Sequence, residues 1–80
     1  MIDVTAKYFA VFREQAGLDG ERVATPAATA AELFDEIASR HGFLDARARC
    51  KVAVNDELVA WDTRLTDGDT VLFFPPVAGG

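Results

Sequence analysis

One amphipathic helix restricts the folds that this chain can adopt. Thr29 and Glu32 form a capping-box pattern, which marks the start of a helix, and Gly42 is the glycine that ends it. The apolar stripe between them, at helical spacing, consists of Leu33, Phe34, Ile37, Ala38 and His41. A helix with one apolar face must pack that face against another element, so the remaining segments have to cover it.

Those remaining segments have the patterns of β-strands. Residues 2–9 alternate between apolar and polar side chains, apart from Phe9, an aromatic residue on the polar face. Three further elements are predicted, namely a short helix over residues 10–16, a short strand over 21–24 and a half-buried strand over 46–54. Residues 71–74 are apolar on both faces, which favours a central strand or one covered by a partner. The sequence therefore predicts an α+β domain, with one mixed sheet wrapped around one main helix.

Length and charge exclude several classes of protein. The chain has 80 residues, enough for one domain over 1–80, and half of them are hydrophobic, as is typical of a packed globule. Its net charge of −5 disfavours nucleic acid as a partner. The first residues lack a signal-peptide pattern and no apolar run is long enough to span a bilayer. We therefore expect a cytoplasmic protein without a membrane partner.

The C-terminal tail has the clearest chemical meaning. It consists of Pro75, Pro76, Val77, Ala78, Gly79 and Gly80. The prolines have no amide donor and therefore end the last strand. The glycines have no side chain, so the tail is thin enough to enter a narrow channel. When extended, it reaches about 20 Å. The carboxylate of Gly80 is a poor electrophile until it is activated, for which adenylation by ATP is the obvious route. Because the chain has no phosphate-binding loop, we expect it to bind no cofactor, and a partner enzyme to use the ATP.

Other candidate residues have structural explanations. Cys50 falls on the apolar face of a predicted strand, so we expect a buried, unreactive thiol. Asp67 and Asp69 belong to a turn and offer too few ligands for a metal ion, so no metal site is predicted. The solvated face of the 46–54 strand is predicted to carry Arg47, Arg49 and Lys51. Trp61 fits either the core or an interface.

Three segments together resemble one known family. They are Tyr8 to Gly17 (YFAVFREQAG), the pair Val54-Asn55, and Leu65 to Gly80 (LTDGDTVLFFPPVAGG). This combination is similar to the small, sulfur-carrying subunit of molybdopterin synthase, of the MoaD type. The resemblance extends over nearly the whole chain. Phe12 and Thr70 depart from the residues usual at their positions, and neither belongs to the tail.

The resemblance implies both a fold and a role. The fold is a ubiquitin-like β-grasp domain that ends in a flexible Gly79-Gly80 tail. The role is sulfur carriage in molybdenum cofactor synthesis by a subunit that is not catalytic alone. In that family a ubiquitin-activating-type enzyme adenylates the terminal glycine, here Gly80, and a sulfur donor protein supplies the sulfur of the resulting thiocarboxylate. The large subunit then transfers this sulfur to cyclic pyranopterin monophosphate.

The resemblance also implies an assembly and a set of contact residues. The family assembly is a heterotetramer, with one small subunit at each end of a large-subunit dimer. The positions that match its partner-facing patch are Phe9, Arg13, Leu58 and Phe74. Phe9 also stands out from the pattern alone, as an aromatic on a polar face, and Phe74 as an apolar residue without an assigned side.

Three alternatives remain at the level of the sequence. The same tail could carry sulfur for the thiazole of thiamine or for a sulfur-containing amino acid. It could instead be joined to lysines of target proteins, as in a ubiquitin-like modifier. A binding module that uses the hydrophobic patch and ignores the tail is the third alternative. The alternatives are distinguished by the sulfur-containing product that forms, by higher-mass conjugates of the chain, and by whether removal of the two glycines abolishes function.

Overall fold

Five strands and one main helix form the framework of the described chain, residues 1–76 of a computed structural model. The elements are β1 (Ile2–Tyr8), α1 (Val11–Ala16), β2 (Gly20–Thr25), α2 (Ala30–His41), a 3-10 helix (Arg47–Arg49), β3 (Lys51–Val54), β4 (Glu57–Val59) and β5 (Thr70–Phe74). No helix within residues 1–76 is long and apolar enough to cross a membrane. The predicted flexible Gly79-Gly80 tail lies outside the described residues.

The sheet is mixed, in the order β2-β1-β5-β3-β4. β1 and β5 run parallel, whereas β2 is antiparallel to β1, and β3 is antiparallel to both β4 and β5. The first and last strands of the chain are therefore neighbours. β5 occupies the centre, as its two apolar faces predict. The α+β prediction is confirmed, and the arrangement is the β-grasp fold that the resemblance implies.

The main helix begins and ends where the sequence predicts. Thr29 Oγ1 accepts a hydrogen bond from the Glu32 amide at 3.2 Å, which satisfies a free donor of the first turn. At the other end Gly42 adopts φ 72°, a conformation that glycine adopts without strain, and its amide donates to Ala38 O at 2.8 Å. The predicted apolar stripe faces the sheet, and Leu33, Phe34 and Ile37 are buried there.

Aromatic side chains fill the space between α2 and the sheet. The Phe34 ring packs edge-on against Phe73, with centroids 5.4 Å apart, and against Trp61 at 5.3 Å. Trp61 Nε1 also donates a hydrogen bond to Cys50 O at 3.3 Å. Trp61 therefore packs against the core and stays half-buried.

The predicted strand over residues 46–54 is wrong in its first half. Residues Arg47–Arg49 form a 3-10 helix, and β3 starts only at Lys51. The Arg47 guanidinium lies 2.9 Å from Asp35 Oδ2 on α2, and Arg49 pairs with Asp45 at 3.3 Å. The two arginines are thus not on a strand face, because alternating Ala and Arg residues fit a tight turn as well as a strand. Lys51 alone of the three belongs to a strand.

The turn before β5 fixes the position of that strand. Gly68 adopts φ 91° there, and Asp67 Oδ1 accepts a hydrogen bond from the Asp3 amide at 2.8 Å. Asp69 accepts hydrogen bonds from the Thr66 amide at 2.7 Å and from Asn55 Nδ2 at 2.9 Å. The turn role predicted for both aspartates is confirmed. These contacts tie the start of β5 to its neighbours and so define where its far end emerges.

Candidate docking site and tail exit

The C-terminal tail starts from the centre of the sheet. Phe74, the last residue of β5, pairs with Lys51 of β3. Pro75 follows and is half-buried, and Pro76 is exposed. Because proline has no amide donor, the ladder ends here. The other predicted tail residues, Val77 to Gly80, lie outside the described residues.

Phe9 and Phe74 stack against each other beside this exit. Their ring centroids are 5.0 Å apart and their planes differ by 11°. In the parallel register Tyr8 lies opposite Phe73. The residues that follow them in the chain, Phe9 and Phe74, therefore lie side by side at the same end of the sheet. Phe9 nevertheless remains 40% exposed. The stack therefore presents an aromatic surface to solvent at the base of the tail.

Leu58 extends this apolar surface across the sheet. It lies opposite Ala53 of β3, which in turn lies opposite Leu72 of β5. Leu58 is 68% exposed, a large apolar area for a surface residue. The groove between the strands is lined by Leu58, Leu72, Phe74 and Pro75, among others. Leu72 is absent from the sequence-predicted site, although it shares its side of β5 with Phe74, and that alternation is the signal that could have identified it.

Arg13 lies on the opposite side of Phe9 from Leu58. Its Nε is 3.7 Å from Asp19 Oδ1, and both side chains are mostly exposed, so the pair contributes little to stability. Arg13 and Phe9 line the same groove. The structure thus brings Phe9 and Phe74 into contact, with Leu58 towards one edge of the sheet and Arg13 towards the other.

The junction between β1 and α1 sets the direction of Phe9. Ala10 adopts φ 49° and ψ −122°, a conformation that is strained for a residue with a side chain. The chain turns sharply there, and the Phe12 amide donates to Phe9 O at 3.0 Å. Phe12 enters the core while Phe9 stays on the surface. The sequence gives no warning of this turn, since alanine rarely takes a positive φ.

A polar cluster below Phe9 joins three elements. The Tyr8 hydroxyl donates to Glu21 Oε2 at 2.6 Å, and His41 Nε2 lies 2.5 Å from the same oxygen. Burial acts to raise the pKa of the Glu21 carboxyl group. The hydrogen bonds from Tyr8 and His41, together with the charges of His41 and Arg40, have a larger combined effect in the other direction. The pKa of Glu21 therefore lies below its usual value. Burial, and then the Glu21 carboxylate, raise the pKa of the Tyr8 hydroxyl. Sequence patterns do not predict this cluster, which links β1, β2 and α2.

Cys50 is buried, as predicted. Its Sγ donates to Ala46 O at 3.3 Å. Burial, and then the Asp45 carboxylate, raise the pKa of the thiol, so the reactive thiolate is disfavoured. Within residues 1–76, no group of three or more His, Cys, Asp or Glu side chains is placed to hold a metal ion.

Comparison with known proteins identifies the family. The ThiS family matches residues 6–80. The chain belongs to the ThiS family. This ThiS-family protein is 41% identical over 76 residues to the molybdopterin synthase sulfur carrier subunit of Escherichia coli K12, across 91% of this chain and 94% of that protein.

Solved structures similar to this ThiS-family protein share its fold over nearly the whole chain. A putative molybdopterin converting factor subunit 1 from Pyrococcus furiosus is 39% identical, with a TM-score of 0.81 and coverage of 96% and 100% of the two chains. SAMP1 from Haloferax volcanii is 30% identical, with a TM-score of 0.80 and coverage of 98% and 99%. A subunit in the complex of subunits 1 and 2 of the Helicobacter pylori molybdopterin-converting factor is 26% identical, with a TM-score of 0.68 and coverage of 99% and 100%.

Proposed function

We propose that this chain is the sulfur carrier subunit of molybdopterin synthase and acts in molybdenum cofactor biosynthesis. The strongest support is its similarity to the Escherichia coli sulfur carrier subunit over nearly the full length of both proteins. The Pyrococcus furiosus structure, named as a converting factor subunit, supports the same function. Since activation of the carrier consumes ATP, we place the protein in the cytoplasm.

The chemistry takes place at the carboxyl group of Gly80. A partner enzyme of the ubiquitin-activating type joins this carboxylate to the AMP part of ATP and releases pyrophosphate. Sulfur from a donor protein then displaces AMP and leaves a thiocarboxylate. In the large subunit the sulfur passes to cyclic pyranopterin monophosphate, and two carrier turnovers supply the two sulfurs of each product. In this proposal the carrier requires no cofactor or metal of its own, and catalysis belongs to its partner enzymes.

The geometry suits a carrier whose folded domain binds a partner while its C-terminal tail enters the active site of that partner. The tail begins at Pro75, directly beside the Phe9–Phe74 stack. Extended, residues 75–80 reach about 20 Å, far enough to enter an active-site channel of the large subunit. We propose that Phe9, Arg13, Leu58 and Phe74 bind that subunit, in a heterotetramer with one carrier at each end of a large-subunit dimer. The complex of the two Helicobacter pylori subunits supports binding of the carrier to a second subunit.

Deletion of Gly80 tests this function. The full-length and truncated chains are each combined with the large subunit, the adenylating enzyme, ATP, a sulfur donor and cyclic pyranopterin monophosphate. We expect molybdopterin only from the full-length chain, and equal thermal unfolding of both chains, because the described sheet and core are built from residues that precede Pro75. Normal product from the truncated chain would contradict the proposal. A thiocarboxylate that forms without any molybdopterin would indicate another sulfur acceptor, as in thiamine synthesis.

The similarity to SAMP1, a small archaeal modifier protein, favours conjugation to proteins as a second candidate function. In that case the activated Gly80 would form an amide with lysine side chains of other proteins. Higher-mass forms of the chain in a cell lysate, lost when Gly80 is deleted, would support conjugation. Their absence, together with normal molybdopterin formation, would leave sulfur carriage as the function.

A further inference from the structure

A groove on the outer face of the sheet runs from Phe9 towards β2. Its lining includes Lys7 of β1, Arg22 of β2 and Arg13 of α1. Gly20 also lines it, and a Cβ atom at that position would come within 2.7 Å of Ala6 O. Position 20 therefore cannot carry a side chain without a backbone shift.

The strand register explains why basic residues meet here. Thr5 lies opposite Arg22, and Lys7 lies opposite Gly20, so Lys7 and Arg22 are diagonal neighbours on one face of the sheet. Such diagonal positions are about 7–8 Å apart, close enough for two long side chains to contact the same ligand. Arg13 approaches from α1, on the side where Phe9 lies.

The groove lining has fewer acidic residues than basic ones, and the acidic ones already have partners. Among residues 1–76, neither Lys7 nor Arg22 forms an ion pair. Asp19 lies 3.7 Å from Arg13 but is largely exposed to water. Glu21 is occupied by Tyr8, His41 and Arg40. The lining thus has three basic residues, Lys7, Arg13 and Arg22, against two acidic ones, so the groove has a small net positive charge in a chain whose net charge is −5.

We propose that this positive groove binds a carboxylate-rich strip on the surface of the large subunit. The inference rests on the proposed function and adds a second part to the docking surface. Phe9 lines both the groove and the apolar surface at the tail exit, so one partner can cover the two without a gap. Opposite charges at the rim of an interface speed association and fix its orientation. Lys7 and Arg22 orient the carrier, while the aromatic stack supplies the apolar contact.

Charge reversal tests the proposal with the purified large subunit as the probe. The variants are Lys7→Glu and Arg22→Glu, and the matched control is Arg64→Glu, an exposed arginine outside the groove. At about 0.05 M salt we expect each groove variant to bind about tenfold more weakly than the wild type, mainly through slower association. The difference should shrink at about 0.5 M salt, where charges are screened. Arg64→Glu should bind within about twofold of the wild type.

The outcomes separate this inference from the proposed function. Thermal unfolding of all variants near the wild-type temperature, together with the expected affinity pattern, supports the groove. If Lys7→Glu and Arg22→Glu bind as the wild type does, or if Arg64→Glu weakens binding equally, the groove proposal is overturned while sulfur carriage stands. If the wild-type chain does not bind the large subunit, both are overturned.

Discussion

At the scale of single residues, the surface at the tail exit is held in place by a few contacts. Phe9 and Phe74 come from opposite ends of the chain and meet because β1 and β5 pair in parallel. Phe74 alternates with the buried Phe73, so it faces outward. Two aromatic rings that remain partly exposed are typical of a binding surface, where they add apolar contact area at a small cost in side-chain entropy.

Leu58 and Leu44 offer a matched test of this surface. Both are exposed, Leu58 at 68% and Leu44 at 84%, but only Leu58 lies in the groove beside Phe74. We expect Leu58→Lys to weaken binding to the large subunit about tenfold or more, because a charge would be buried in the contact. Leu44→Lys should leave the dissociation constant, measured by titration calorimetry, nearly unchanged. Equal effects of the two substitutions would show that Leu58 has no special role.

Ala10 should be a site where glycine stabilises the protein. Its backbone, at φ 49° and ψ −122°, is strained for alanine, whereas glycine adopts this conformation with less strain. We expect Ala10→Gly to raise the free energy of unfolding by about 1 kcal/mol, after the entropy of the extra glycine in the unfolded chain is subtracted. Ala24→Gly, at an exposed position of β2, should lower it by about 0.5–1 kcal/mol. Urea denaturation measures both, and a loss of stability in Ala10→Gly would contradict the strain.

At the scale of elements, the Tyr8–Glu21–His41 cluster joins β1, β2 and α2. Each of these elements contributes one side chain, and Glu21 accepts from both of the others. Arg40, beside His41 on α2, has its Nη1 atom 3.9 Å from Glu21 Oε1 and its Nη2 atom 2.9 Å from Glu36 Oε2. The cluster therefore connects the C-terminal end of α2 to the antiparallel pair of strands β1 and β2.

The cluster predicts a specific dependence of stability on pH. Because the pKa of Glu21 is lower in the folded protein than its ordinary value of 4.5, its contribution is present above that pH and is lost as the pH falls through the folded value. We expect Glu21→Gln to lower the free energy of unfolding at pH 7 by about 1–2 kcal/mol. The difference in free energy of unfolding between wild type and variant should become smaller as the solution is acidified below about pH 4.5.

Glu57→Gln is the control for this experiment, since Glu57 is exposed in the short strand β4. Chemical denaturation at several pH values gives the free energy for all three proteins. The Glu57→Gln curve should run parallel to that of the wild type. If the Glu21→Gln curve also runs parallel down to pH 3, the cluster does not stabilise the fold through the charge of Glu21.

The elements differ in how far the sequence determines them. The start of α2 at Thr29, its end at Gly42 and the central place of β5 follow from caps and apolar periodicity, which are local signals. The segment over residues 46–54 is mispredicted because its alternation also fits a 3-10 helix held by Arg47 and Asp35, two residues that only the folded chain brings together. The Phe9–Phe74 contact and the positive groove likewise depend on strand order and register, which local patterns do not specify.

At the scale of the whole molecule, the fold places the candidate docking surface beside Pro75 and Pro76, the first residues of the tail. The strand that leads into the tail is the central one, anchored by the Asp67–Asp69 turn at one end and stacked on Phe9 at the other. In the proposed function, a partner bound over the Phe9–Phe74 stack would lie beside Pro75, where the tail begins. We propose that the central position of β5, directly before Pro75, couples docking of the folded domain to delivery of the tail.

The intact mass of the chain after incubation with its adenylating enzyme, ATP and a sulfur donor tests the central claim most directly. We predict a gain of about 16 Da, the difference between sulfur and oxygen at one carboxyl group, located at Gly80 by fragmentation. The chain without Gly80, treated identically, serves as the control and should keep its mass. An unchanged mass of the full-length chain, with an enzyme that forms the acyl adenylate, would contradict sulfur carriage.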